Sequence, residues 1–211
     1  MEIPHSEWLA RIELIAGDAA VDFVNSVSER AGPNPGEQLH SYPELLYWLR
    51  RCGLLSPDEA AKLYGLSRRQ PEAAAAALQS ALHFRDAAWR LLAGTVRGHA
   101  PAGADLTEVN RVIRGALAHL ELIGDANGYR LASSGAQADF EQALWPAARS
   151  LAAFMTSADV GALRLCASDT CGWLFVDRSR NKMRRWCRMD DCGNRAKQRR
   201  HRSRRSGSAG A

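Results

Sequence analysis

Four cysteines near the C-terminus, Cys166, Cys171, Cys187 and Cys192, stand as two pairs of the same internal spacing separated by 15 residues. Thiolate sulfur is a soft, anionic ligand, and two such pairs can close a tetrahedral Zn²⁺ site. With all four positions filled by sulfur there is no open position for water. The expected metal is therefore one structural Zn²⁺, not a catalytic one. The four cysteines fall within 27 residues, and in a reducing compartment such a cluster favours thiolate ligation over disulfides. Cys52 stands apart and reads as a buried small apolar residue.

The cysteines lie in the most basic part of the chain. Residues 1–160 hold 14 Lys and Arg against 19 Asp and Glu, whereas residues 161–211 hold 14 against 4, so the two parts carry −5 and +10 and sum to +5. Arg178, Arg180, Lys182, Arg184, Arg185, Arg188, Arg195, Lys197, Arg199, Arg200, Arg202, Arg204 and Arg205 interleave with and follow the ligands. Phosphate is the natural partner of such a polycation, and Arg can also read guanine edges bidentately. The opposing reading is a solvated tail. A zinc-stabilised nucleic-acid binder explains metal and charge together, with DNA as the partner and RNA as the alternative.

The chain before the cysteines must position this module, and its signals are helical. Asp18 can cap a helix that places Ala20, Phe23, Val24 and Val27 on one face. Ser41 with Glu44 and Ser56 with Glu59 are capping boxes, and Pro57 sits where a missing N–H costs little. An alanine-rich helix is expected over 72–97, with Leu78, Leu82, Trp89 and Leu92 as its core stripe. Asp105 is expected to open the next helix. A hairpin between Leu120–Ile123 and Tyr129–Leu131 follows around a Gly/Asn/Asp turn. Ser134 and Gln137 are expected to start a last body helix that Pro146 kinks.

The fold class expected is mainly α: a helical N-terminal domain over 1–160 with one short hairpin, which senses a ligand or dimerises. A small treble-clef-like zinc finger follows over 161–205, with a basic, Arg-rich C-terminal helix expected to dock on DNA, and then a disordered tail over 206–211. Leu163–Leu165 and Gly172–Val176 read as the two arms of a hairpin gripping the metal. No stretch is long and apolar enough for a membrane span, and the N-terminus lacks the pattern of a secretory signal, which points to the cytoplasm.

Asp22 and Asn25 are the polar residues to watch in the body, three apart on an otherwise apolar helix, where they could anchor a small ligand or bond neighbouring helix ends. The histidines show no metal spacing. No nucleophile motif, phosphate loop or carboxylate pair appears, so the chain is read as a non-enzyme. An enzyme with its site in the helical body is kept as an alternative resting only on Asp22 and Asn25. A ribosome- or RNA-associated zinc protein is the other.

The run from Cys166, through Gly172-Trp173-Leu174-Phe175, Asp177-Arg178-Ser179-Arg180-Asn181 and Arg184-Arg185-Trp186-Cys187, to Cys192-Gly193-Asn194-Arg195 resembles the CGNR zinc-finger family. The body, through Val21-Asp22-Phe23-Val24-Asn25-Ser26 and Leu45 with Trp48-Leu49, resembles the ABATE domain that precedes such fingers, with Ser26 where threonine is expected. The resemblance implies a bacterial, stress-related transcription regulator.

Overall fold

The computed structural model describes residues 2–126, 128–133 and 139–199. A short helix α1 (Glu7–Arg11) leads to α2 (Ala19–Val24), the innermost helix, in which Ala20 through Val24 are all buried. Its start follows from the cap: the Asp18 carboxylate accepts from the backbone N–H groups of Ala20 and Val21, which have no partner inside a first turn. Val27, expected on this helix, lies instead in β1 (Val27–Ser28), which pairs antiparallel with β2 (Gly36–Glu37).

The two capping boxes open α3 (Tyr42–Arg51) and α4 (Pro57–Arg69). In α4 the box is reciprocal: Ser56 Oγ accepts from Glu59 N at 3.2 Å, and Glu59 accepts from Ser56 N at 2.9 Å. In α3 the return bond shifts by one residue, so that Glu44 takes the N–H of His40. Leu45, Leu46, Trp48 and Leu49 form the buried face of α3, and the Trp48 indole donates to the Phe23 carbonyl of α2. The long helix α5 (Pro71–Arg97) ends in the left-handed Gly98. Leu78 and Leu92 are buried as expected, whereas Leu82 and Trp89 are half-buried. The fuller stripe adds Ala81, Phe84, Ala88 and Leu91, of which the two alanines let neighbouring helices approach closely.

Helix α6 (Gly103–Ala118) begins earlier than the acidic signal suggested. Asp105 sits inside its first turn, and its carboxylate is taken by Arg90 of α5 at 2.7 Å instead of capping backbone. The hairpin β3 (Leu120–Asp125) and β4 (Gly128–Ser133) forms as read, with Leu122 opposite Leu131. The expected helix start at Ser134 and Gln137 lies outside the described residues. Beyond it Asp139 caps a 3-10 turn at Phe140–Leu144, which runs into α7 (Trp145–Thr156). Pro146 does not kink α7: it occupies the first turn, where its missing N–H breaks no helical bond. A second 3-10 turn at Ala158–Ala162 then leads to the hairpin β5 (Leu163–Leu165) and β6 (Leu174–Val176).

The observed class is the expected one, helices around one main core with short antiparallel strand pairs, and a small second cluster of Phe175 and the four cysteines. Leu163, Leu174 and Val176 of the last hairpin belong to the main core. No helix among the described residues is long and apolar enough to cross a membrane.

Candidate metal centre and basic surface

Cys166 follows β5 and Cys171 precedes β6, so the β5–β6 hairpin presents the first pair from a tight knuckle. Within the knuckle, Cys166 N donates to the Trp173 carbonyl at 2.8 Å, and Cys171 N to that of Ser168 at 3.3 Å. The second pair brackets a turn: Cys192 lies in a single π-helical turn (Met189–Gly193) that runs into a helix over residues 194–199. Asn194 donates from its side chain to the Asp190 carbonyl and orients this turn. A hairpin followed by a helix that delivers the last ligand is a treble-clef-like arrangement.

All four sulfurs are buried and lie within 4.8 Å of one another. Cys187 Sγ stands 3.6 Å from both Cys171 Sγ and Cys192 Sγ, and none of the cysteines is disulfide-bonded. Tetrahedral Zn²⁺ with bonds of about 2.3 Å places its sulfurs about 3.8 Å apart, so the residues fit one Zn²⁺. The cluster's protonation points the same way. Hydrogen bonds from the thiols of Cys166, Cys171 and Cys187, with Arg195 assisting, hold Cys192 far below the ordinary thiol range. Hydrogen bonds with Cys166, Cys171 and Cys192, together with burial, push the Cys187 thiol far up. Four thiolates in one buried site therefore require a cation among them. The set supplies four sulfur ligands and structural cross-linking, and Arg195, whose guanidinium lies 3.4 Å from Cys192 Sγ, adds a donor to one ligand.

The module is fastened to the body by buried polar contacts. The Asn25 side chain donates to the Leu174 carbonyl at 2.8 Å and accepts from the Leu174 N–H at 2.9 Å, completing one residue's backbone pairing. Asp22 Oδ1 accepts from Ile15 N and Ala16 N at 3.0 Å each, while Ala16 O accepts from Val176 N. Burial pushes the Asp22 carboxyl up to about 6 despite these bonds. The Trp89 indole donates to the Gly172 carbonyl, and the Trp173 indole to that of Val27. Gly172 has φ +70, and a Cβ there would stand 2.9 Å from Ala31 N, so glycine is required by both conformation and space. Asp22 and Asn25 thus have backbone partners at the seam. Cys52 is buried near Asp22, as read, and burial holds its thiol well above the ordinary value.

The basic residues divide into two groups. Arg178 pairs with Asp159, Arg188 with Glu13 and Asp190, Arg195 with Glu29 and Asp191, and Arg199 with Asp169. Among the described residues Arg180, Lys182, Arg184, Arg185 and Lys197 form no salt bridge. Lys182 donates to the Asp177 carbonyl. Arg184 turns inward, donating to the carbonyls of Trp186 and Cys187 with its guanidinium 4.3 Å from the Phe175 ring centre. Arg185 stacks at 5.1 Å over Trp186, which packs beside the cysteines. Arg200 and Arg202, and the tail over 206–211, lie outside the described residues. The carboxylates of Glu13 and Glu29 carried no signal in the sequence, because their partners are far along the chain. They flank a cavity of about 330 Å³ between the N-terminal segment and the finger, lined also by Trp8, Trp173, Arg188 and Arg195.

A comparison with curated proteins found no match. Residues 162–205 match the CGNR zinc finger, and residues 17–158 match ABATE, described as "Putative stress-induced transcription regulator". The ABATE match spans more than half of the chain, and it is followed by the finger whose four sulfurs converge here: the chain belongs to the ABATE family and ends in a CGNR zinc finger.

Proposed function

We propose that the protein is a DNA-binding transcription regulator in which the zinc finger docks on DNA and the helical body senses a small ligand or forms a dimer. The observation that carries this reading is the pairing of a structural four-cysteine centre with exposed cations on one small module. Arg180, Lys182, Arg185 and Lys197 are exposed and have no carboxylate partner among the described residues. Cations left unneutralised on a metal-fixed scaffold meet phosphates at a low ordering cost. Arg178, Arg195 and Arg199, whose carboxylates would first have to be displaced, contribute less.

For the body, a cavity of about 390 Å³ between α3, α4 and α5, lined by Tyr42, Tyr64, Arg68 and Leu78 among others, has the size and mixed lining of a small-molecule site. A catalytic role for Asp22 and Asn25 is disfavoured by their backbone partners.

The test is fluorescence anisotropy of the zinc-loaded protein with a labelled duplex from its own upstream region beside a shuffled one, across a salt series. Tighter binding to the upstream duplex near physiological salt supports sequence recognition. Lys197→Ala should weaken binding to both and lower the salt slope by about one. Absence of binding at low salt, or preference for structured RNA over both duplexes, rejects the reading.

A further inference from the structure

The finger's loop between the two cysteine pairs, residues 178–185, carries five cations and no carboxylate. Between Lys182 and Arg184, Met183 is 77% exposed, on a loop otherwise built from polar residues. The loop's base is fixed from inside. Asp177, fully buried, accepts from Ser179 N at 2.9 Å, from Ser179 Oγ at 2.5 Å and from Arg184 N at 3.0 Å. Lys182 takes a left-handed conformation, φ +50, with its N–H on the Ser179 carbonyl and its ammonium on the Asp177 carbonyl. Arg184, anchored over Phe175, closes the other side beside the metal ligand Cys187. A flexible apolar side chain is thus held out in water beside a rigid base, on the same loop as exposed Arg180, Lys182 and Arg185.

The helix over 194–199 offers less to DNA. Arg195 is paired to Asp191 and Glu29, and Arg199 to Asp169, which leaves Lys197 as its cation without a salt bridge among the described residues. Major-groove reading calls for a helix or ribbon with several free side chains. An exposed apolar side chain on a cationic loop suits a different mode, in which cations track the phosphates of the minor groove while the apolar group wedges between base steps and kinks the duplex. A protein surface would need a ring of apolar area around Met183 to exclude water, and the loop has none.

We infer that the loop, not the helix, is the leading DNA contact of the finger, and that Met183 inserts between base steps from the minor groove. This rests on the nucleic-acid reading above. Arg180 and Arg185 then hold phosphates on either side, and Arg184 is a positioning residue that sets the loop.

The experiment uses the zinc-loaded full chain and a duplex with donor and acceptor dyes at its ends, so that affinity and bending are read together. Wild type should bring the ends closer, and a minor-groove drug should compete with it. Met183→Ala should abolish the bend and weaken binding by about tenfold at unchanged salt slope, while Met183→Leu restores both. Arg180→Ala should weaken binding and lower the slope by about one, leaving the bend in place. Unchanged zinc content and circular dichroism keep these variants comparable. If Met183→Ala binds and bends the duplex like wild type, the wedge is wrong while DNA binding stands. If no protein, wild type included, binds the duplex at low salt, or if structured RNA displaces it, the nucleic-acid reading on DNA falls and the wedge with it.

Discussion

Asn25 is the side chain whose position says most about how the molecule holds together. Both of its polar atoms bond the backbone of Leu174, 149 residues away, at 2% exposure. Asn25→Ala removes both partners and leaves a buried N–H and carbonyl unsatisfied, so it should cost about 2–3 kcal/mol. Urea unfolding checks this, and a loss below about 0.5 kcal/mol would mean that water replaces the amide. Asp22 makes the opposite kind of contribution. Its carboxyl is raised by burial from 3.8 to about 6, so the native state binds its proton more tightly than the unfolded chain does. Stability from this group is complete below about pH 4 and is lost as pH rises through about 6. Asp22→Asn keeps an oxygen for Ile15 N and Ala16 N without the titration. It should flatten stability between pH 4 and 6 and gain up to about 3 kcal/mol at neutral pH. Parallel pH profiles for the two proteins would show that the carboxyl titrates normally.

Among the elements, β2 and α5 are joined by a buried ion network that no local pattern announces. Arg85, 1% exposed in the middle of α5, donates to both carboxylate oxygens of Glu37 at 2.7 Å and to Ser26, and pairs with Asp86. Burial alone would push its pKa down, but the Glu37 hydrogen bonds and the two acids outweigh this and raise it. Arg85→Met should cost about 3 kcal/mol, at the lower end for a broken buried pair because Glu37 and Asp86 reach solvent. Thermal unfolding reads it, and a neutral result would show that apolar packing substitutes for the network. The helices around it were legible because Asp18, Ser41 and Ser56 act on N–H groups within three residues. Asp105 has the same chemistry and misled, since Arg90 reaches it from a neighbouring helix. Pro146 misled for a related reason: whether a proline kinks a helix or starts one depends on where the helix begins.

At the scale of the whole molecule, the finger is not an appendage. Leu163, Leu174 and Val176 complete the body's core, and the knuckle is bonded to Trp89, Val27 and Ala31. Removing zinc by chelation should therefore lower the melting temperature of the body as well, by at least about 5 °C, in one cooperative transition. Cys187→Ser should do the same while failing to retain zinc. Two separate transitions, with the upper one unmoved by chelator, would mean that the body's core closes without the hairpin.

Spacing alone specified the zinc ligands, because a tetrahedral thiolate site is written in a short stretch of chain where few conformations are open. Composition alone specified a basic module behind an acidic body. The tertiary structure decided which cations remain without a carboxylate partner, because Glu13, Glu29 and Asp169 reach their arginines through space. It also decided what Asp22 and Asn25 bond, since a buried polar group takes its meaning from whichever backbone the fold brings to it.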